Sequence, residues 1–431
     1  MKIRPAKSIN GQITLPGDKS ISHRAAMIAA IADGETRIEN FATSSDCGST
    51  LDCIAKLGVE VRRDDNTVIV NGAGKSGFLR PNAPLDCGNS GTTMRLLSGI
   101  LAGQDFESTL IGDESLQRRP MKRIIDPLTR MGSAIRSENG NAPLVISGKY
   151  PLDAIEYQPP VASAQIKSCV LLAGLHSNGI TTVIESVKTR DHTERMLGWF
   201  GAEVSIKTGE KASHISVSGD TKLTARDLVV PSDISSAAYF LVAAACLDGS
   251  DITLPNIGLN PSRRGILDVL LELGASIETS ALTENSNEPV ATLRILGGLT
   301  SSRKATPVLQ DDLIANLIDE IPILAILATQ LDTGLEIRGA AELRVKESDR
   351  IAAVVTNLKL MGADITEFPD GFRVRRSRLT GAVLESFGDH RIAMAFTVAG
   401  LLAEGETEII NAECADISFP QFFEILESVV R

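Results

Sequence analysis

Apolar and polar residues alternate in short segments that recur along the chain at nearly regular intervals. The segments begin at Thr36, Ser108, Thr181, Asp251, Leu335 and Thr407. Successive starts lie 72, 73, 70, 84 and 72 residues apart, and the alternation predicts strands with one buried face. The longest interval contains the polar residues 279–289, which predict an exposed loop insertion. Repeats of this length are too long for a solenoid and predict domains built from several units.

An Ala- and Leu-rich stretch precedes each of these segments and is apolar on nearly every face, which predicts a helix buried inside a domain. In most units an amphipathic helical pattern follows the strand and ends in an apolar residue and a glycine. The glycines are Gly58, Gly132, Gly201, Gly274 and Gly362. Glycine suits the left-handed position after a helix. Each unit is therefore predicted to run strand, buried helix, strand, amphipathic helix, strand.

The composition narrows the class of protein. Apolar residues make up 43% and charged residues 23%, as in globular proteins. The net charge of −11 argues against a dedicated nucleic-acid or anionic-membrane binder. Six Cys without a C-x-x-C pair, with five His, argue against a zinc site. We expect reduced thiols, no signal peptide and a cytoplasmic location.

Polar and basic residues stand at the starts of the apolar helices, where a buried helix needs no charge. They occupy positions 18–24, 88–95, 163–167, 233–236, 319–320 and 388–391. Helix N-termini present unpaired N–H groups and the positive end of the dipole, which favour phosphate or carboxylate. N-capping explains the Ser, Asp and Asn residues but not the cations Lys19, Arg24, Arg95, Lys167 and Arg391. Several such helix ends together predict a site for polyanionic substrates.

Two further basic motifs occur, at residues 118–120 and 344–350. If the second is helical, Lys346, Glu347 and Arg350 share one face; an ion-paired surface helix is the alternative interpretation. Residues 72–77 fit G-x-G-x-x-G, but Pro81 and Pro84 prevent a following helix. We expect a hairpin turn there and no nucleotide cofactor.

Eight motifs occur in a fixed order along the whole chain: LPGDKSISHR, GNSGTTMR, RRP, SAQIKS, RDHTERM, DEIP, RVKESDR and GDHRIAM. The set closely resembles the EPSP synthase (3-phosphoshikimate 1-carboxyvinyltransferase) family, in its second sequence class. The resemblance implies an α/β fold: a two-domain inside-out α/β barrel in which each domain has three βαβαββ repeats with buried helices. Residues 1–17 and 231–431 would form one domain and 18–230 the other, with crossings near 16–19 and 229–232.

The resemblance also implies an activity. The enolpyruvyl group of phosphoenolpyruvate would move to the 5-hydroxyl of shikimate 3-phosphate, by addition and elimination through a tetrahedral intermediate. Phosphate would be released, and no metal or organic cofactor would be needed. The pathway is the shikimate pathway to chorismate and the aromatic amino acids. We expect these two anionic substrates as the only partners, with no nucleic acid, no membrane and a monomeric protein.

Site residues follow from the resemblance by matching position with position. The catalytic residues would be Asp319, Glu347 and Lys19. Shikimate 3-phosphate would be bound by Lys19, Ser20, Arg24, Ser163, Ala164, Gln165, Thr189, Asp319 and Lys346. Phosphoenolpyruvate would be bound by Lys19, Asn89, Gly91, Arg119, Gln165, Arg350 and Arg391. Asp389 is expected to cap a helix, and His390 is interpreted equally well as structural or as a ligand.

Two positions depart from the pattern of some family members. Ala164 stands in place of a second Ser, so that one phosphate contact would come from the backbone or from Lys167. Ile417 stands in place of a C-terminal Lys.

Two alternative functions remain at this point. One is the UDP-N-acetylglucosamine enolpyruvyl transferase of related fold, which has a Cys in a mobile loop. Residues 112–120 of this chain contain no Cys, which disfavours it. The other is a non-catalytic anion-binding module, for which Asp319 and Glu347 would be irrelevant.

Overall fold

The chain passes four times between two structural units, because the short segment Glu284–Glu288 is assigned to unit 2. Unit 1 consists of Met1–Pro16, Pro231–Thr283 and Pro289–Arg431, and unit 2 consists of Gly17–Val230 and Glu284–Glu288. The computed structural model describes residues 1–300 and 304–431.

The helices within these described residues vary in length from single turns to more than three turns. In chain order the α-helices are α1 (Lys19–Ala30), α2 (Ser45–Lys56), α3 (Gly91–Ala102), α4 (Glu114–Gln117), α5 (Lys122–Arg130), α6 (Ala164–Gly174), α7 (His192–Trp199), α8 (Ile234–Cys246), α9 (Gly265–Glu272), α10 (Asp312–Leu317), α11 (Ile321–Ala328), α12 (Arg350–Leu360), α13 (His390–Leu402) and α14 (Phe422–Val429). Short 3₁₀-helices span Ala341–Val345 and Ala412–Ile417.

The strands are mostly short. In chain order they are β1 (Lys2–Ile3), β2 (Asn10–Gln12), β3 (Asp33–Glu39), β4 (Glu60–Asp64), β5 (Thr67–Ala73), β6 (Leu85–Asp86), β7 (Glu107–Ile111), β8 (Ala134–Glu138), β9 (Asn141–Ser147), β10 (Glu156–Tyr157), β11 (Ile180–Glu185), β12 (Ser205–Thr208), β13 (Ser213–Ser218), β14 (Leu228–Val229), β15 (Asp251–Gly258), β16 (Ala275–Asn285), β17 (Glu288–Leu299), β18 (Val308–Leu309), β19 (Leu335–Ile337), β20 (Ile365–Phe368), β21 (Gly371–Val374), β22 (Val383–Glu385) and β23 (Thr407–Ile410).

The sheets repeat one topology. In unit 2 their strand orders are β14-β3-β5-β4, β6-β7-β9-β8 and β10-β11-β13-β12, each beginning with a parallel pair and continuing antiparallel. Unit 1 has the orders β2-β15-β17-β16, β18-β19-β21-β20 and β22-β23-β1, again starting from a parallel pair. Parallel neighbours need a crossover, which α3, α6, α11 and α13 provide within their own repeats. The predicted α/β fold with repeated units is confirmed.

The four crossover helices form the cores together with α1 and α8. In unit 2, nearly all residues of α1, α3 and α6 are buried, and in unit 1 the same holds for α8, α11 and α13. Every residue of α11 is buried. Because these sequences are apolar on all sides, no face of the helix needs water. Each unit has its own apolar core.

The repeated glycines end the amphipathic helices as predicted. Gly58, Gly132, Gly201, Gly274 and Gly362 have φ values of 88°, 98°, 90°, 91° and 81°, and each follows the C-cap residue of its helix. A side chain at these positions would strain the backbone, so that glycine fixes where each helix stops.

Residues 279–289 form the end of a hairpin, and the prediction of a loop was wrong. The strands β16 and β17 continue through this segment, and the turn places Ser286 and Asn287 at φ values of 50° and 63°. Positive φ at both turn residues is what a two-residue hairpin requires. The side chains of β16 are largely exposed, so the strand carries no apolar alternation that the sequence could reveal.

The segment 72–77 consists of the end of β5 and a turn at Gly74–Gly77, and it forms no hairpin, contrary to the prediction. The next strand after β5 is β6, which belongs to a different sheet. The Lys75 ammonium donates to the carbonyl of Leu175 at 3.0 Å and to that of Gly219 at 2.6 Å. Leu175 is the C-cap residue of α6, where a cation is favoured by the helix dipole.

Candidate active site

In unit 2, two cations stand in the first turns of α1. Asp18 caps this helix by accepting from the N–H of Ile21 at 2.9 Å. The Lys19 ammonium donates to a carboxylate oxygen of Asp46 at 3.0 Å. Asp46 lies in the first turn of α2 and was missed by the sequence analysis, which gave no reason to distinguish it from a capping residue.

Arg24 is a buried cation with neutral partners. Its guanidinium donates to Thr193 Oγ1 at 2.7 Å, to Ser168 Oγ at 2.9 Å and to the carbonyl of Ser20 at 2.9 Å. The two hydroxyls also bond to each other at 2.7 Å. Burial lowers the pKa of Arg24 to about 10, which leaves it charged at neutral pH. A buried guanidinium held by uncharged acceptors is well suited to receive an anion.

The start of α3 has a second group of cations. Arg119 donates to Asn89 Oδ1 at 2.6 Å and to Ser115 Oγ at 3.2 Å. A Cβ added to Gly91, the first residue of α3, would lie 2.7 Å from Arg95 Nη1 and 3.4 Å from Arg119 Nη1. Glycine therefore leaves room for both guanidinium groups beside the helix end.

Ser163 caps α6 by accepting from the N–H of Ile166 at 3.4 Å. In the first turn, Gln165 accepts from Arg95 at 2.7 Å and donates to Thr92 at 3.0 Å, so that its amide joins the starts of α3 and α6. Ala164 is the first residue of α6 and offers only its backbone.

A cavity of about 240 Å³ opens next to Ser163. Lys167, Glu185 and Thr189 also line it. Lys167 Nζ lies 2.8 Å from Glu185 and 2.7 Å from Glu194, and Thr189 donates its backbone N–H to Glu185 at 2.9 Å and its hydroxyl to the same oxygen. Burial acts to lower the pKa of Lys167, but the two carboxylates outweigh it and raise the pKa. Lys167 is thus engaged with two carboxylates, which weakens its expected role as a phosphate contact.

In unit 1, Asp319 just before α11 is surrounded by cations. Its carboxylate oxygens lie 3.4 Å from Arg350 Nη1, 3.6 Å from Lys346 Nζ, 3.7 Å from Arg391 Nη2 and 3.8 Å from Arg263 Nη1. Arg391 also donates to the backbone carbonyl of Asp319 at 3.0 Å. Four cations around one carboxylate favour its ionised form.

Arg350 begins α12 and is held by two carboxylates. Its Nε donates to Asp389 Oδ2 at 2.8 Å and its Nη2 to Glu347 Oε2 at 2.6 Å. Burial acts to lower the pKa of Arg350, but Asp389 and Glu347 outweigh it and raise the pKa. Asp389 accepts from the N–H of Arg391 at 2.9 Å, so it is the predicted cap of α13 and also an anchor of Arg350.

The segment 344–350 is not one helix. The 3₁₀-helix ends at Val345, α12 begins at Arg350, and Lys346 and Glu347 lie between them. The pairing of Glu347 with Arg350 forms nevertheless, because the turn before α12 brings the two side chains together. Ile417 is the last residue of a 3₁₀-helix and adds no charge to the unit 1 cluster of Asp319, Lys346, Glu347, Arg350 and Arg391.

Two kinds of feature, a metal-binding cluster and a membrane-spanning helix, are absent from the residues that the structure describes, 1–300 and 304–431. No group of three or more His, Cys, Asp or Glu side chains is arranged there to hold a metal ion. Within the same ranges no helix has the length and apolar character needed to cross a membrane.

The repeated fold with its cation-lined helix ends belongs to the class of proteins that bind small anionic ligands. A sequence model of the family described as EPSP synthase (3-phosphoshikimate 1-carboxyvinyltransferase) matches residues 3–426. The chain belongs to this family.

Known proteins similar to this chain match it over nearly their whole length. The 3-phosphoshikimate 1-carboxyvinyltransferase of Koribacter versatilis is 51% identical to this chain, and the alignment covers 100% of this chain and 99% of that protein. That of Geobacillus kaustophilus is 48% identical, with 98% of each chain covered. The solved EPSP synthase of Acinetobacter baumannii superposes with a TM-score of 0.87 at 42% identity, covering 100% of this chain and 98% of its own.

Proposed function

We propose that this chain transfers the enolpyruvyl group of phosphoenolpyruvate to the 5-hydroxyl of shikimate 3-phosphate and releases phosphate. The observation that carries the proposal is the Asp319 carboxylate among four cations, in a chain of the EPSP synthase family. Each substrate has a phosphate and a carboxylate. The cations neutralise these groups, and the carboxylate provides the base that the reaction needs.

The proton transfers are assigned to Asp319 and Glu347, and the stabilisation of charge is assigned to Lys19. In the addition, Asp319 takes the proton of the 5-hydroxyl while the hydroxyl oxygen bonds to C2 of phosphoenolpyruvate, and the protonated form of Glu347 gives its proton to C3. In the elimination, the Glu347 carboxylate takes a proton back from C3 of the tetrahedral intermediate, the double bond between C2 and C3 forms again, and the bond from C2 to the phosphate oxygen breaks, so that phosphate leaves with the electron pair. Lys19 contacts both substrates and stabilises the developing charge.

Shikimate 3-phosphate is assigned to the hydroxyl- and amide-bearing helix ends. Arg24, with its neutral partners, meets an anionic group of this substrate, and the cap residue Ser163 meets its phosphate. The remaining contacts are assigned to Lys19, Ser20, Ala164 through its backbone N–H, Gln165, Thr189, Asp319 and Lys346.

Phosphoenolpyruvate is assigned to the guanidinium groups. Arg119, Arg350 and Arg391 bind its phosphate and carboxylate, since planar guanidinium groups make paired hydrogen bonds with such anions. Gly91 leaves the space that the ligand requires, Asn89 orients Arg119, and Lys19 and Gln165 complete the contacts.

Phosphate release tests the proposal. The protein is incubated with phosphoenolpyruvate and either shikimate 3-phosphate or UDP-N-acetylglucosamine, and inorganic phosphate is measured. We expect phosphate release with phosphoenolpyruvate and shikimate 3-phosphate but not with phosphoenolpyruvate and UDP-N-acetylglucosamine. We expect the Asp319→Asn variant to release no phosphate. The matched control is Asp332→Asn, an exposed carboxylate paired with Arg376. Release with the nucleotide sugar would favour the related transferase, and binding without release would favour the non-catalytic module.

We further infer that the protein acts in the cytoplasm as a monomer, with the two substrates as its only partners. The net charge of −11 supports the absence of a nucleic-acid partner. Light scattering after size exclusion tests the oligomeric state: a mass near 45.8 kDa is expected, and twice that mass would contradict the inference.

A further inference from the structure

Arg263 is a buried cation of unit 1 to which the proposed substrate contacts give no role. It lies just before α9, and the residue is 3% exposed. Its Nη2 donates to Ser235 Oγ at 2.5 Å and lies 3.4 Å from Asp233 Oδ1. Its Nη1 lies 3.8 Å from Asp319 Oδ2. Arg263 therefore connects the start of α8 with the carboxylate before α11.

The other three cations around Asp319 differ from Arg263 in what they are proposed to do. Lys346, Arg350 and Arg391 are assigned to the substrates, so that incoming phosphate and carboxylate groups compete with Asp319 for their charge. Arg263 is assigned to none of these anions. Its Nη2 is held by Ser235 and Asp233, and the Ser235 hydroxyl in turn donates to Glu320 Oε1.

We propose that Arg263 is a positioning residue that keeps the Asp319 carboxylate ionised and oriented when the substrates engage the other cations. The proposal rests on the proposed role of Asp319 as the base. A carboxylate can take the proton of a hydroxyl only in its ionised form, and an opposite charge within about 4–6 Å favours that form. In a buried environment this effect is screened little by solvent.

Charged and titratable groups from several elements surround Asp319, either directly or through its cations. Arg263, Lys346, Arg350 and Arg391 lie against Asp319 itself. The groups that act on these cations are Asp233 before α8, Tyr239 on α8, Glu320 before α11, Glu347 before α12 and Asp389 before α13. Arg263 is the cation among these that the proposed contacts leave in place on substrate binding. Removing its charge therefore makes Asp319 easier to protonate.

The test is the pH profile of kcat, measured with both substrates saturating. In Arg263→Gln we expect the acid limb of the profile to move to higher pH by about one unit or more, as for a carboxylate that loses a neighbouring cation. Arg263→Lys keeps the positive charge, so its acid limb should lie close to the wild-type position. The matched control is Arg264→Gln: Arg264 is the next residue along the chain, half-exposed and paired with Asp268 at 2.6 Å, and its loss should leave the limb unmoved.

A purely structural role would give a different result. If Arg263→Gln lowers kcat by the same factor at every pH and the limb stays in place, the proposal is overturned. If Arg263→Gln does not fold, as judged by circular dichroism, Ser235→Ala replaces it, because this change removes the shorter of the two hydrogen bonds that hold Arg263 Nη2 and keeps the charge. It should move the limb in the same direction by a smaller amount, and an unmoved limb overturns the proposal equally.

Asp319→Asn separates this proposal from the assignment on which it rests. Loss of turnover in Asp319→Asn, together with an unmoved limb in Arg263→Gln, contradicts only the role of Arg263. Normal turnover in Asp319→Asn contradicts the role of Asp319 as the base, and the role of Arg263 with it.

Discussion

His176 makes unit 2 sensitive to acid. The side chain lies beyond the C-cap of α6 and packs against the end of α3, where a Cβ on Gly103 would meet it at 2.4 Å. Both ring nitrogens are buried, and neither has a hydrogen-bond partner among the residues that the structure describes. Burial lowers the pKa of His176 to about 3, and the Lys75 ammonium adds to the effect. The folded state therefore holds a neutral imidazole that the unfolded chain would protonate readily.

The direction and size of the effect follow from this difference in pKa. Since the folded pKa lies below the ordinary value of 6.5, the stability is fully present above pH 6.5 and is lost as the pH falls toward 3. Each unit of pKa difference corresponds to about 1.4 kcal/mol, so the whole loss amounts to about 5 kcal/mol. About 3 kcal/mol of it should be lost by pH 4.5.

We predict that His176→Leu removes most of this acid sensitivity. Leucine has no titrating group, and the unpartnered ring nitrogens mean that no hydrogen bond is lost. The assay is urea unfolding between pH 7 and pH 4.5, followed by fluorescence of Trp199, which is the single Trp of the chain and lies in unit 2 with His176. The control is His214→Leu, at a partly exposed position on β13. Equal losses of stability in wild type and His176→Leu would refute the reasoning.

Three further predictions concern catalysis and binding. Asp319→Asn and Glu347→Gln should each lower kcat by roughly 10²–10⁴ with far smaller changes in KM, and near-normal turnover would exclude the assigned proton transfer. Ser163→Ala removes a hydrogen bond to a charged group, worth about 1.5–3 kcal/mol, and should raise KM for shikimate 3-phosphate more than KM for phosphoenolpyruvate; equal increases would count against a phosphate contact. Thr193→Val should weaken calorimetric binding of shikimate 3-phosphate by about tenfold, because Arg24 loses an acceptor, whereas Thr193→Ser should bind normally; a loss in both variants would point to packing.

The repeat and its helix ends could be predicted from sequence because their signals are local. The period of the strands, the all-round apolar helices and Gly58 with its counterparts each specify their own conformation within a few residues. The predictions were wrong where the local sequence pattern favours one structure and the tertiary packing imposes another. The exposed strand β16 carries polar side chains like a loop, and the charge spacing of residues 344–350 fits a helix that does not form.

The candidate site was predictable only where a residue lies in a recognised motif or at the start of a buried helix. Asp46 pairs with Lys19 across 27 positions of sequence, and Arg263 reaches Asp319 from a different repeat. Neither contact leaves a periodic signal, because each depends on how separate helices pack together, within one repeat for Asp46 and between repeats for Arg263. Thr193 was inside a quoted motif, but only the structure shows that its hydroxyl holds Arg24.

The discontinuity of unit 1 determines the order in which its parts become available during synthesis. The strand β1 pairs with β23, so that Lys2 meets Glu408 and Ile3 meets Thr407. The ribosome therefore releases the beginning of this sheet long before its partner exists, and nearly all of unit 2 emerges in the interval. Domains generally fold as units during synthesis. Residues 17–230 of unit 2 can therefore fold while the first sixteen residues still lack the strands of unit 1 with which they pair. Completion of unit 1 is delayed until β23 leaves the exit tunnel, and a nascent chain stalled before β23 should expose β1 to proteases and chaperones, although β2 can already pair with β15.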